Sequence, residues 1–206
     1  FTVSDTGANL AFNLDALNAI GAKLASIQQT DSTAISLTYA QYIADTNALA
    51  KLSGVYTLTV TDVSPANAAT VAADGHVASM TLLANSSLTE AQFNLISAKV
   101  ANTDLTLTDV NPVDALVLAN DSRVAHLTLL SNSSLTETDF NNVALKLTNN
   151  DLTVTDVAVA DIVSIASSTQ VAHFSFTGNT VKESDILPAL NDVAAKMLNT
   201  HVTITD

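Results

Sequence analysis

The sequence contains no cysteine and no tryptophan, and it has only 5 glycines and 3 prolines in 206 residues. The absence of cysteine excludes disulfide bonds and thiolate chemistry. Glycine-rich phosphate loops, dinucleotide fingerprints and the Gly-Gly-x-Gly-x-Asp calcium nonapeptides are also absent from the sequence. No apolar run approaches the roughly 18–20 residues that a membrane-spanning helix needs, so we expect no membrane insertion.

Positive charge is scarce as well. Lysine and arginine together number 7 against 20 aspartates and glutamates, which gives a formal net charge of -13. Such an acidic surface repels nucleic acid and anionic membranes, so we expect no nucleic-acid partner. Hydrophobic residues nevertheless make up 48% of the chain, which is enough for a sizeable core and argues against intrinsic disorder.

The dominant feature of the sequence is an internal repeat. The segment LTVTD at 58–62 recurs as LTLTD at 105–109 and as LTVTD at 152–156, with 47 residues between successive copies. Related segments open the chain at 1–5 and close it at 202–206. A second family with the same spacing begins at Val77, Val124 and Val171, with a weaker copy at 24–30. Both families alternate apolar and polar residues, which predicts half-buried strands.

The segments between these strands predict helices. Longer helices are expected to begin at Ser36, Ser87, Ser134 and Thr180, and the last three have glutamate three residues later, the pattern of a capping box. Shorter helices are expected at 64–73 and from 111, where a capping residue precedes proline at the first helical position. The predicted order is strand, short helix, strand and long helix, four times over, followed by a ninth strand.

This order predicts an α/β fold with parallel strands. We expect an open right-handed β/α solenoid with the plan of a leucine-rich-repeat protein, with helices on one side and a face rich in Thr, Ser and His open to water. A single array would comprise four units at 1–57, 58–104, 105–151 and 152–201, plus a final strand at 202–206. A doubly wound sheet, and a coil with the two strand families in separate sheets, are the alternatives.

An aspartate ends each first-family strand, at Asp62, Asp109 and Asp156, and also at Asp5 and Asp206. Stacked carboxylates could bind Ca²⁺, but aspartates at such positions also accept hydrogen bonds from turn amides. We favour the structural role for this row and expect no cofactor, with calcium as the alternative.

The expected open face also carries candidate binding residues, His126, His173, Thr128 and Ser175. In one continuous sheet the two histidines would lie two strands apart, too far for one metal ion, whereas in a two-sheet coil they would be adjacent. No catalytic motif is present, and the three glutamates all lie at expected helix caps, so we expect no enzymatic activity.

Both ends of the chain lie in strand motifs. Exposed strand edges are templates for pairing, so we expect them to stack end to end on neighbouring copies or to continue a longer repeat array. The expected assembly edges are Phe1, Thr2, Val3, Val202, Thr203 and Ile204.

The opening stretch VSDTGANLAFNLDALNAI at 3–20, followed by KLASI at 23–27, resembles the repeat unit of very large bacterial surface proteins. These are β-strand-repeat or adhesin-like proteins, often exported by type I secretion, and the recurring LTVTD strands extend the resemblance over essentially the whole chain. The resemblance implies an extracellular structural or adhesive role, as an adhesin, surface-layer or filament component, and no catalytic residues. A glycan- or peptide-binding module that uses the open face is the alternative.

Overall fold

The computed structural model describes all residues 1–206 and consists of short parallel strands that alternate with short helices. The chain divides into two compact units, residues 1–102 and residues 103–206. None of the helices has the length and apolar character that spanning a bilayer would need.

The first unit has seven strands and six α-helices. The strands are β1 (Thr2–Asp5), β2 (Ser26–Gln29), β3 (Ile35–Thr38), β4 (Leu52–Ser53), β5 (Leu58–Val63), β6 (Val77–Leu82) and β7 (Ser87–Thr89). The helices are α1 (Gly7–Phe12), α2 (Leu14–Ile20), α3 (Tyr39–Ala44), α4 (Thr46–Leu49), α5 (Pro65–Ala73) and α6 (Glu90–Ile96), with a 3-10 turn at Gly21–Lys23.

The second unit repeats the same plan. Its strands are β8 (Leu105–Val110), β9 (Val124–Leu129), β10 (Ser134–Thr136), β11 (Leu152–Val157), β12 (Val171–Phe176), β13 (Thr180–Lys182) and β14 (Thr203–Thr205). Its helices are α7 (Ala115–Ala119), α8 (Glu137–Val143), α9 (Ile162–Ser167), α10 (Glu183–Ile186) and α11 (Leu190–Lys196), with 3-10 turns at Pro112–Asp114, Val159–Asp161 and Leu187–Ala189.

The two predicted strand families are present and parallel. Each first-family strand pairs with the second-family strand that follows it along the chain: β5 with β6, β8 with β9, and β11 with β12. The short helix between the two strands makes the crossover that parallel pairing requires. The prediction of a parallel α/β fold is therefore confirmed.

The predicted longer helices begin too early. Residues 36, 87, 134 and 180 lie in a third family of short strands, β3, β7, β10 and β13, and the helices start only after these strands. The third family adds four strands to the nine predicted, and β4 brings the total to fourteen. β3 pairs with β5, β10 with β11, and β13 with β14, so these residues contribute backbone hydrogen bonds to a ladder instead of capping a helix.

Of the three predicted capping boxes, only the one near residue 87 is present, two residues further along, whereas Thr136 caps α8 without a reciprocal bond and α10 has no side-chain cap. The Thr89 hydroxyl accepts the Gln92 backbone N–H at 3.2 Å, and the Gln92 side-chain oxygen accepts the Thr89 backbone N–H at 2.9 Å. Thr38 and Gln41 form the same reciprocal pair at the start of α3. Both Ser87 and Thr89 offer a hydroxyl followed by a suitable partner, and strand geometry at residues 87–89 decides in favour of the later one.

The strands form five short sheets of two or three strands each. The two strand families share a sheet, so a coil that separates them is wrong. Successive repeats do not share one continuous sheet either, because β9 and β12 belong to different sheets. A single bridge residue extends each second-family strand: Val100 beside Met80, Leu147 beside Leu127, and Met197 beside Phe174.

An extra residue interrupts each pair of first- and second-family strands. Val60 aligns with Met80, but Val63 aligns with Leu82, so the first-family strand has one more residue in this interval. The intervening Asp62 adopts a left-handed backbone conformation with φ of 59°. This bulge turns the Val63 side chain into the core, where it is fully buried, although Val60 three residues earlier is also buried.

The opposite face of the strands carries hydroxyl groups. Thr59 and Thr61 alternate with the buried Leu58 and Val60 and remain half-exposed. The Thr59 hydroxyl lies 3.1 Å from that of Ser79 on the adjacent strand. Apolar side chains therefore pack on one face of β5, while hydroxyls bond across strands on the other, as the alternation predicts.

Candidate functional site

The predicted binding residues lie on two strands, His126 and Thr128 on β9 and His173 and Ser175 on β12. His126 and His173 are both exposed, and they align with Thr106 and Thr153 on the neighbouring first-family strands. Their strands belong to different sheets. Of the hydroxyls predicted with them, Thr128 bonds to the Thr148 hydroxyl on its own sheet, while Ser175 lies half-exposed on β12.

The aspartate row occupies the strand bulges. Asp62, Asp109 and Asp156 all have left-handed φ values, of 59°, 54° and 59°. Aspartate is among the few residues other than glycine that adopt this conformation readily. The hydroxyls of Thr61 and Thr155 donate to Asp62 and Asp156 at 3.1 and 3.3 Å. No group of three or more His, Asp or Glu side chains converges anywhere in the chain, so the row supplies no cluster of ligands.

A row of asparagines that the sequence did not single out recurs in the last three repeats, and each side chain bonds within its own repeat. The Asn149 side chain accepts the Leu129 backbone N–H at 2.7 Å and donates to the Leu129 carbonyl oxygen at 3.2 Å. Asn102 binds both backbone groups of Leu82, and Asn199 those of Phe176. Each amide thus bonds to the backbone N–H and carbonyl at the end of a second-family strand, as a neighbouring strand would. We call this contact the asparagine clamp.

A row of lysines caps the short helices. The Lys99 ammonium group donates to the carbonyl oxygens of Ala72 and Asp74, both at 2.7 Å. Lys146 bonds in the same way to Asp121 and Val124, and Lys196 bonds to Ser168. Carbonyls at a helix C-terminus lack intrahelical partners and carry partial negative charge, so a lysine stabilises them. Three of the chain's few cations are used in this way.

The turn after each short helix also recurs. Asp74 accepts the backbone N–H of His76 at 2.8 Å, and Asp121 accepts that of Arg123 at 2.9 Å. The Ser168 hydroxyl accepts the N–H of Gln170 at 3.3 Å. The Arg123 guanidinium also bonds to the Asp121 carboxylate, which holds the pKa of Asp121 below its ordinary value.

Only the first of these turns is surrounded by aromatic side chains. The Tyr42 hydroxyl donates to Asp74 Oδ2 at 2.9 Å, and His76 Nδ1 lies 3.3 Å from Asp74 Oδ1. The Tyr56 ring stacks on the His76 imidazole with 4.3 Å between centroids and 3° between planes. The Tyr39 ring lies 6.4 Å from that of Tyr42. All three tyrosines of the chain therefore lie at or beside this turn, which we call the Asp74 cluster.

The cluster shifts the acidity of its members. Burial, assisted by the Asp74 carboxylate, raises the pKa of Tyr42 to about 12. Burial also raises the pKa of Tyr56. Burial alone would raise the pKa of Asp74, but hydrogen bonds from the His76 backbone and from Tyr42 outweigh it and lower that pKa. At neutral pH the cluster therefore presents a carboxylate beside neutral phenol groups.

Two recesses border the Asp74 cluster. Tyr42, Ile43, Thr46, Leu49 and Asp74 line an open recess of about 380 Å³. Tyr56 borders a smaller recess of about 100 Å³ together with Asp31 and Gln29. An aromatic ring, aliphatic side chains and a carboxylate at one opening suit reversible binding of a small group by stacking and hydrogen bonding.

Comparison with known proteins identifies no relative: no protein-family model matches the chain, and neither a curated protein nor a solved structure is significantly similar to it.

Proposed function

We propose that this chain is a structural repeat segment of an extracellular bacterial surface protein, built as one open right-handed β/α solenoid. The observation that carries the proposal is the recurrence of the asparagine clamps at Asn102, Asn149 and Asn199. In each repeat the clamp joins the second-family strand to the segment about twenty residues further on. Each clamp therefore joins successive strand–helix segments within one repeat, and segments held together by contacts with their immediate neighbours can be stacked in series.

The chemistry of the surface supports an extracellular structural role rather than catalysis. The chain has no cysteine and a net charge of -13, and hydroxyl groups cover the open face of its strands. Such a surface keeps a long array soluble through mutual repulsion of its charges. The side chains that recur between repeats bond to backbone or to adjacent strands, and we assign no catalytic role to them.

Insertion of one extra repeat tests the solenoid. A variant with a second copy of residues 105–151 inserted after residue 151 adds one 47-residue unit. For a solenoid, small-angle X-ray scattering should give a larger maximum dimension with an unchanged cross-section. An enlarged chain that becomes rounder, with its cross-section increased, would contradict the solenoid.

We further propose that copies associate end to end through β1 and β14. Each is the outer strand of its own sheet, and Ile204 on β14 is 55% exposed. Beside β14 lies an apolar recess of about 130 Å³ lined by residues that include Phe176, Ile186 and Val193. An open strand edge next to apolar side chains favours pairing with a further strand.

Association is tested by sedimentation and electron microscopy of the purified chain. Ile204→Lys should abolish concentration-dependent association, because it adds a charge to the strand edge. Leu145→Lys is the matched control, because Leu145 is 100% exposed and belongs to neither edge strand. A wild-type chain that stays monomeric at all concentrations, or equal association of the two variants, would count against end-to-end contacts.

The Asp74 cluster supports a second candidate function, a glycan- or peptide-binding module. Its aromatic and carboxylate groups around an open recess occur at only one of the three equivalent turns, so the architecture does not require them. Glycan and peptide arrays would test this function. Binding lost in Tyr42→Phe but kept in a His126→Ala, His173→Ala double variant would assign it to the cluster, and the reverse would assign it to the open face.

A further inference from the structure

A buried carboxyl group in the first repeat lacks a hydrogen-bond donor. Asp45, immediately before α4, is only 4% exposed, and its Oδ2 atom has no hydrogen-bond partner in the protein. A buried carboxylate without a donor or a counter-charge is strongly destabilising. Neither of the chain's two ion pairs, His76–Asp74 and Arg123–Asp121, involves Asp45.

A second carboxyl group faces the first. Burial raises the pKa of Asp45, and so does its interaction with the carboxyl group of Asp15, in the first turn of α2. The side chain of Gln41 donates to Asp15 Oδ1 at 3.4 Å, which is a weak interaction. Two neighbouring carboxylates repel each other, so Asp15 adds to the cost of ionising Asp45.

The backbone holds the two carboxyl groups together. Asn18 on α2 accepts the Ala48 backbone N–H at 3.1 Å and donates to the Ala44 carbonyl oxygen at 3.3 Å. These bonds tie α2 to the residues on both sides of Asp45, so the carboxyl groups cannot simply separate to relieve their repulsion. The structure shows these hydrogen bonds only in the first repeat, where Asp15 and Asn18 on α2 lie beside the start of α4.

We propose that Asp15 and Asp45 bind one divalent cation, with Ca²⁺ as the ion that best fits their chemistry. Carboxylate oxygens are the preferred ligands of Ca²⁺, and a flexible coordination number allows water to complete the shell around two protein ligands. The ion supplies the positive partner that the buried Asp45 oxygen lacks. Two carboxylates and solvent predict weak binding, of the order of 10⁻⁴–10⁻³ M, the range of extracellular calcium modules. The site is separate from the bulge aspartates Asp62, Asp109 and Asp156.

The test compares thermal unfolding at neutral pH with and without Ca²⁺, after removal of metal by a chelator and at matched ionic strength. A calcium concentration about tenfold above the dissociation constant should raise the Tm of the wild-type chain by about 3–6 °C. Isothermal titration of Ca²⁺ into the chain should give one site per chain. Asp45→Asn and Asp15→Asn should each remove both the Tm rise and the binding heat.

Asp192→Asn is the matched control, because Asp192 is an exposed aspartate in the first turn of α11 and should leave the calcium response unchanged. If Asp45→Asn does not fold, Asp15→Asn decides the question, because Asp15 is exposed and its replacement spares the core. A calcium response of wild-type size in both variants would overturn the proposal. So would a wild-type chain that acidification stabilises and calcium does not, since the two carboxyls would then share a proton.

Discussion

At the residue scale, a single asparagine side chain in each clamp bonds to two backbone groups. The Asn149 amide is 7% exposed and satisfies both the N–H and the carbonyl of Leu129. Peptide groups at the end of a short strand would otherwise be buried without partners, which costs about 1–3 kcal/mol for each unsatisfied group. The clamp therefore allows a strand to end inside the protein.

Replacement of Asn149 by Ala should lower the free energy of unfolding by about 2–4 kcal/mol, because two buried backbone groups lose their partners. Urea denaturation monitored by circular dichroism measures the change. The control is Asn150→Ala, which alters an exposed neighbouring side chain and should have almost no effect. Equal stabilities of the two variants would show that solvent replaces the clamp.

The backbone conformation of the bulge aspartates predicts that glycine is tolerated at these positions better than valine. Asp156 has φ of 59°, a conformation that glycine adopts without strain and a β-branched residue adopts only at a cost. Asp156→Gly should stay within about 1 kcal/mol of the wild type, whereas Asp156→Val should lose about 2 kcal/mol. Thermal unfolding of the two variants gives the comparison. A valine variant as stable as the glycine variant would mean that the bulge rearranges.

The Asp74 cluster predicts a displaced tyrosine titration. Tyr42 should ionise near pH 12, because burial and the Asp74 carboxylate oppose a second negative charge. Asp74→Asn should lower the pKa of Tyr42 but leave it above the ordinary value, since burial remains. Alkaline titration of tyrosinate absorbance measures this shift, and circular dichroism recorded in parallel establishes the range in which the fold persists. A titration curve that Asp74→Asn leaves unchanged would contradict the contact.

At the scale of elements, each short helix depends on a lysine from the next segment. Lys146→Met keeps most of the side-chain length but removes the ammonium group that bonds to Asp121 and Val124. We expect a loss of about 1–3 kcal/mol in the free energy of unfolding, because these bonds are charge-assisted and partly buried. Lys182→Met, at an exposed position of β13, should have little effect in the same denaturation experiment. A similar loss in both variants would exclude a specific capping role.

The elements also show which parts of the fold can be predicted from the sequence. The first and second strand families alternate over six residues and recur every 47 residues, and both were predicted correctly. The third family was missed because β10 and its relatives span only three or four residues, Ser-Leu-Thr in β10, too few to show a period. Leu88 and Val100 fit a helical spacing with Phe93, yet Leu88 lies in β7 and Val100 in a β-bridge.

The candidate site was harder to predict than the strands. Tyr42, Tyr56, Asp74 and His76 are distant in sequence or lie outside the repeating strands, so no spacing connects them. The asparagine clamps do recur, at Asn102, Asn149 and Asn199, but asparagine between a strand and a turn is common enough to be interpreted as a turn residue. The internal spacing of these asparagines was the available signal. Comparison of every recurring polar residue, and not only those in strands, would have found them.

At the scale of the whole molecule, charge opposes folding. The formal net charge is -13, and most of the 20 acidic residues lack a cationic partner because only 7 lysines and arginines are present. Screening by salt reduces this self-repulsion. Sodium chloride should therefore raise the Tm progressively, in the wild type and in Asp45→Asn alike, as differential scanning calorimetry would measure. A Tm that falls on addition of salt would indicate that attractive ion pairs dominate.

The clamp asparagines also make the molecule sensitive to slow deamidation. Deamidation of asparagine converts its NH₂ group into an oxygen, and at Asn149 that oxygen would face the Leu129 carbonyl oxygen across the present 3.2 Å contact. Acceptor would then oppose acceptor, with a negative charge added at a position that is almost closed to water. Deamidation of one clamp asparagine would weaken only the contact that this residue makes, because the other clamps would stay intact. In a long array of such repeats the damage would therefore be local and would accumulate with time.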